Sequence, residues 1–153
     1  MDASESAVEI RRRVDAAPEI VFAAFADRGL VSRWLKPAPE VRLDVLIFEF
    51  RVGGAYRFAY HAPGGQIMHV NGIFSAIEPP TDLIFSWNIE PPDGHAGVKS
   101  EVRVAIVPDG AGSELRIQHL NLSQPGATER HADGWRGALD QLAGLVVKTG
   151  DRV

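Results

Sequence analysis

Apolar and polar positions alternate with a period of two along most of this chain, and they shift to helical spacing in two stretches. Val8, Ile10, Arg12 and Val14 alternate with charged neighbours and predict a first strand ending by Asp15. Pro18 suits the first turn of a helix, with Val21, Phe22 and Phe25 as its apolar face until Asp27-Arg28-Gly29 breaks it. Leu30 and Trp34 stand one turn apart in a second short helix, Leu30 to Leu35, which Pro37 and Pro39 stop. From Val41 onward the pattern is strand and turn. Phe48, Phe50 and Val52 alternate with Glu49 and Arg51, whose charges face solvent, before Gly53-Gly54 turns the chain. Tyr56, Phe58 and Tyr60 then share one face. Further strands are expected at Ile67 to Ile77, Leu83 to Ile89, Val98 to Val107 and Glu114 to Leu122, separated by turns rich in glycine and proline.

The second helical stretch closes the chain. Trp135, Leu139, Leu142 and Val146 form one apolar stripe with His131 beside it, and Thr128 is the expected N-cap. About twenty residues give roughly 30 Å of helix, enough to cross a sheet. The predicted class is α+β: a curved antiparallel sheet of six to seven strands in the order β-α-α-β(5–6)-α, with a long C-terminal helix packed over it. A straight helix touches a curved sheet at its ends more easily than along its middle, so this architecture favours an internal cavity. Residues 8–149 read as a single domain between a disordered N-terminus, 1–7, and a short tail, 150–153.

Composition narrows the function classes. The chain has 153 residues, 45% hydrophobic and 24% charged, as expected of a globular protein. With no cysteine, disulfides, thiolate metal sites and a cysteine nucleophile drop out. Met1 to Ala7 lacks the basic start and apolar run of a secretory signal, and no stretch is apolar enough to span a membrane, so the expected location is the cytoplasm. A net charge of -4 and an isolated Arg11-Arg12-Arg13 argue against a nucleic-acid partner. His61, His69, His95, His119 and His131 show no ligand spacing for a metal, and no GxSxG, P-loop or GxGxxG occurs. No metal, cofactor or catalytic residue is assigned.

Several segments together resemble the START-like, or SRPBCC, helix-grip superfamily, and within it the bacterial AHSA-type relatives of the heat-shock-protein ATPase activator. They are Ala17 to Phe22 with Trp34, Arg51 to Phe58, Gly72 ahead of Glu78-Pro79-Pro80, Leu83 to Trp87, His119, and Gly134-Trp135 with Leu139 and Leu142. The resemblance runs from Val8 to Val147 and implies the fold strongly; the segment Val41 to Ile47 is longer than the family's pattern. The superfamily holds lipid carriers, plant-allergen-like binders, polyketide cyclases and co-chaperone domains, so it leaves function open.

The expected site lies between sheet and helix. Tyr56, Phe58, Tyr60, Phe85, Trp87 and Trp135 supply either ordinary core or the walls of a cavity, Leu139 adds to the helix side, and Trp34 is expected near an opening. Leu115, Ile117, His119 and Asn121 share one strand face, so a face that begins apolar turns polar. Either His119 and Asn121 are satisfied by backbone and water, or they orient the polar end of a ligand, with His131 joining them or remaining solvated. A short connection, Ser123 to Ala127, places His119 and His131 at the same end. The leading expectation is a binding protein for a small hydrophobic or aromatic molecule. The alternatives are a protein-interaction or co-chaperone-like module and a cyclase-like enzyme using His119 or His131 as acid or base. Gly137 and Gly144, on the far side of the last helix, offer a smooth strip for a weak homodimer if the chain is not monomeric.

Overall fold

The computed structural model describes residues 7–93, 96–97 and 99–150, the side chains of 147–150 excepted. The expected disordered N-terminus and C-terminal tail therefore lie outside the described residues, apart from Ala7 and the backbone at 150, as does His95.

Among the described residues, β1 (Val8–Val14) is followed by α1 (Pro18–Ala26), α2 (Arg28–Trp34), β2 (Arg42–Phe48), β3 (Ala55–His61) and β4 (Ile67–Glu78). Then come β5 (Asp82–Ile89), β6 (Lys99–Asp109), β7 (Gly112–Leu120) and α3 (Ala127–Gly150). The strands form one antiparallel sheet in the order β1-β7-β6-β5-β4-β3-β2. Six strands meander from edge to edge, and β1 pairs with the last of them, Val8 opposite His119 and Val14 opposite Ser113. The two short helices carry the chain from one edge of the sheet to the other.

Local chemistry explains each join. Pro18 opens α1 where its missing N–H costs nothing. Asp27 caps α2 by accepting from the Leu30 N–H at 3.0 Å. The Trp34 indole donates to the Ala24 carbonyl at 2.8 Å and meets Phe25 edge-on, which fastens α2 to α1. The strand expected through Phe50 and Val52 instead ends at Phe48. Beyond it Gly53 N–H bonds to Phe74 O and Phe74 N–H to Gly54 O, drawing this segment onto β4 as a tight connection. A side chain at Gly54 would overlap the Glu49 carbonyl, so only glycine fits the turn. Phe48 and Phe50 nevertheless stack, 5.8 Å apart, and seal that end of the core.

The helix α3 starts at Ala127, one residue before the expected Thr128 cap, and approaches β1, α1 and α2 most closely. Three contacts fix it. Arg12 on β1 pairs with Asp140, the Gln141 amide donates to Lys36 O at 2.8 Å, and Gly137 lies directly against the Pro37 backbone. This corrects the expected smooth outer strip: Gly137 is occupied by the α2–β2 connection, because only a residue without Cβ lets it come so near, whereas Gly144 has nothing within 4 Å. No helix among the described residues is long and apolar enough to cross a membrane.

Candidate functional site

The inward rings divide into two groups. Tyr56, Phe58 and Phe85 belong to a packed half of the core with Phe25, Phe48 and Phe74, where the remaining void is only about 10 Å³. Gly72 makes this packing possible: a Cβ there would overlap the Tyr56 ring, whose hydroxyl donates to Ser86 O at 2.5 Å. These three rings are therefore core packing and do not line the main pocket. Trp34 and Leu139 are also fully buried, so the expectation that Trp34 marks an opening is corrected: its indole is committed to Ala24.

The open space lies further along the sheet, between it and α3, as a pocket of about 420 Å³. Tyr60, Met68, Trp87 and Ile89 form its sheet wall, His131, Gly134, Trp135 and Ala138 its helix wall, and Leu35, Lys36 and Pro37 one rim. Arg130 and Asp133 complete the lining. The rim is held in place because Tyr60 donates its hydroxyl to Leu35 O at 2.8 Å; burial pushes that phenol well above its ordinary pKa and keeps it neutral. Trp87 sits 6.1 Å from Trp135, and its own N–H finds no acceptor among the described residues. Of the residues expected in the site, Tyr60, Trp87, His131 and Trp135 are brought together here.

His119 lies just behind this wall, inward and wholly buried, 4.7 Å from His131 ring to ring. Its nitrogens are both used. Trp135 can only donate, so Nδ1 accepts its N–H at 3.0 Å; Nε2 then carries the proton and donates to Ser100 Oγ at 2.8 Å. Ser100 in turn donates to Trp87 O at 2.6 Å, completing a relay that leaves no buried polar atom of His119 open. Burial, aided by His131 nearby, pulls the His119 pKa down to about 3. At neutral pH it is an uncharged structural residue that fixes Trp87 and Trp135. His131 is anchored as well: a carbonyl only accepts, so its Nδ1–H donates to Ala127 O at 2.8 Å.

Asn121 departs from the expected face. The backbone turns left-handed there, with φ of 66°, a conformation asparagine tolerates, and its side chain is exposed. The reversal lets Leu122 turn inward and pack with Val8 and Ala127, which seats the start of α3. Sequence alternation missed Leu35, Lys36, Pro37, Met68, Ile89, Arg130, Asp133, Gly134 and Ala138. The signal for the helix wall was present: Gly134 and Ala138, four residues apart beside Trp135, form a small-residue notch. Among the described residues, no three acidic or histidine side chains gather to hold a metal.

A curved antiparallel sheet gripping a long helix, with an apolar pocket between them, defines a helix-grip protein. Residues 15–147 match the family described as activator of Hsp90 ATPase homolog 1-like protein, and the chain belongs to that family, the AHSA-type branch of the START-like superfamily. Protein CV1439 from Chromobacterium violaceum is 26% identical with a TM-score of 0.82, over 93% of this chain and 97% of that one. The AHSA1 protein from Silicibacter pomeroyi is 24% identical with a TM-score of 0.82, covering 94% and 99%. CalU16 from Micromonospora echinospora is 26% identical with a TM-score of 0.67, covering 92% and 75%. No curated protein matches the chain in sequence.

Proposed function

We propose that this chain is a cytoplasmic, single-domain binding protein that holds a small apolar or aromatic molecule between its sheet and α3. The observation that carries this reading is the pocket of about 420 Å³ walled by Tyr60, Trp87, Ile89, Trp135 and Ala138. That volume falls within the range of small-molecule sites, and two indoles and a phenol offer stacking surfaces with few charges behind them. The closed relay through His119 supports binding over acid–base chemistry, because its ring is uncharged at neutral pH and has no free nitrogen.

The test is to fill the pocket without disturbing its frame. Gly134 lines it, and a Cβ there would meet only Pro37 Cβ at 3.9 Å, an ordinary contact. Gly134→Leu should preserve folding, gain up to ~1 kcal/mol from helix propensity, and abolish thermal stabilisation by hydrophobic compounds that stabilise the parent protein. Retained ligand stabilisation in a well-folded Gly134→Leu would place the site elsewhere. The family description favours a second reading, a protein-interaction module of the Hsp90-activator kind. A stoichiometric Hsp90-class partner bound equally by Gly134→Leu would support it.

A further inference from the structure

Within this pocket, Arg130 stands out among the polar lining groups. Its guanidinium reaches from the first turn of α3 along the pocket wall and donates to both carboxylate oxygens of Asp93, each at 2.8 Å. Its Nη2 also lies 2.9 Å from the Met68 sulfur, another lining residue. Asp93 itself does not line the pocket; it comes to Arg130 from the segment after β5. The charges facing the pocket are unequal: Lys36 and Arg130 are cationic, while the one acid, Asp133, has its side chain 83% exposed and pairs with Arg136.

We propose that Arg130 is the anion-recognising residue of the pocket and that the ligand is an apolar or aromatic carboxylic acid, whose carboxylate takes the place of Asp93 on the guanidinium. This assignment rests on the pocket reading above and specifies its ligand class. The planar fork of arginine matches a carboxylate with two parallel N–H···O bonds, so a ligand carboxylate can stand where the Asp93 carboxylate stands. Asp93, whose side chain is 20% exposed, must turn outward to make way, and the guanidinium keeps a carboxylate partner throughout. A neutral ligand gains nothing from this exchange. The positive end of the α3 dipole, one turn away, favours an anion at the same place.

The experiment uses 2-naphthoate and its uncharged counterpart 2-naphthamide, titrated calorimetrically into the intact protein and two variants. The parent should bind the acid a few-fold more tightly than the amide, less than a full bidentate contact is worth, because the acid must displace Asp93. Arg130→Gln should bring the two to equal affinity. Asp93→Asn, which removes the internal competitor, should strengthen naphthoate several-fold and leave naphthamide unchanged. Equal binding of acid and amide by the parent, or weaker naphthoate binding by Asp93→Asn, would overturn the assignment while leaving the pocket reading intact. Failure of both probes to bind would overturn the two together.

Discussion

His119 illustrates how one residue can be placed correctly by sequence and yet have its work decided by neighbours that sequence does not show. Alternation along β7 put it inward, and a short connection put it beside His131; both hold. Its bonds to Ser100 and Trp135 depend on residues distant in sequence, so no local pattern could reveal that both nitrogens are spent. Asn121 failed for the opposite reason: a single left-handed residue ends the alternation. The buried imidazole has a consequence for acid stability. Its folded pKa of about 3 lies below the ordinary 6.5, so the unfolded chain binds the extra proton in between. The stability it contributes is complete above pH 6.5 and is lost towards pH 3 at about 1.4 kcal/mol per pH unit. Urea unfolding should thus show the parent losing about 2 kcal/mol more than His119→Gln between pH 7 and pH 5. Parallel slopes would refute a neutral, buried His119. Glu90, drawn down to about 2 by Arg57 and then Asn71, acts in the same direction over a lower window, below pH 4.5.

At the scale of elements, periodicity found α1, α2, α3 and most strands because each buries one face, and burial imposes its period on the sequence. The limits of β2 were not legible. Val45, Leu46, Ile47 and Phe48 are all apolar, so alternation is silent where the ladder shifts by one residue between Val45 and Ile47. The helical period put Gly137 and Gly144 together on the far side of α3, but their surroundings separate them. Gly144→Ala should stabilise the protein by about 0.5–1 kcal/mol, since the added methyl meets nothing within 4 Å and helix propensity improves. Gly137→Ala should destabilise it by about 1–3 kcal/mol despite the same propensity gain, because the methyl collides with the Pro37 carbonyl and pushes the pocket rim away. Thermal unfolding of the two variants checks this contrast; equal shifts would mean that Pro37 does not lie against Gly137.

For the whole molecule, the order of elements pointed to a sheet covered by one long helix and the motif resemblance to a helix-grip fold, and the family match over residues 15–147 agrees. The site was only half legible. Large rings attract attention as cavity walls, but in a close-packed interior they fill space, as Tyr56, Phe58 and Phe85 do. Space is left where side chains are small, at Gly134 and Ala138, and where a connection far away in sequence, Leu35 to Pro37, completes the rim. The central claim is that this pocket takes an apolar ligand, and the three tryptophans provide its most direct test. Trp87 and Trp135 line the pocket, while Trp34 is sealed between α1 and α2 with its indole bonded to Ala24. In a proton–nitrogen NMR titration with 2-naphthamide, the indole signals of Trp87 and Trp135 should shift in a saturable way while that of Trp34 stays in place. Shifts confined to Trp34, or no saturable shift at Trp87 and Trp135 with either 2-naphthamide or 2-naphthoate, would contradict the account.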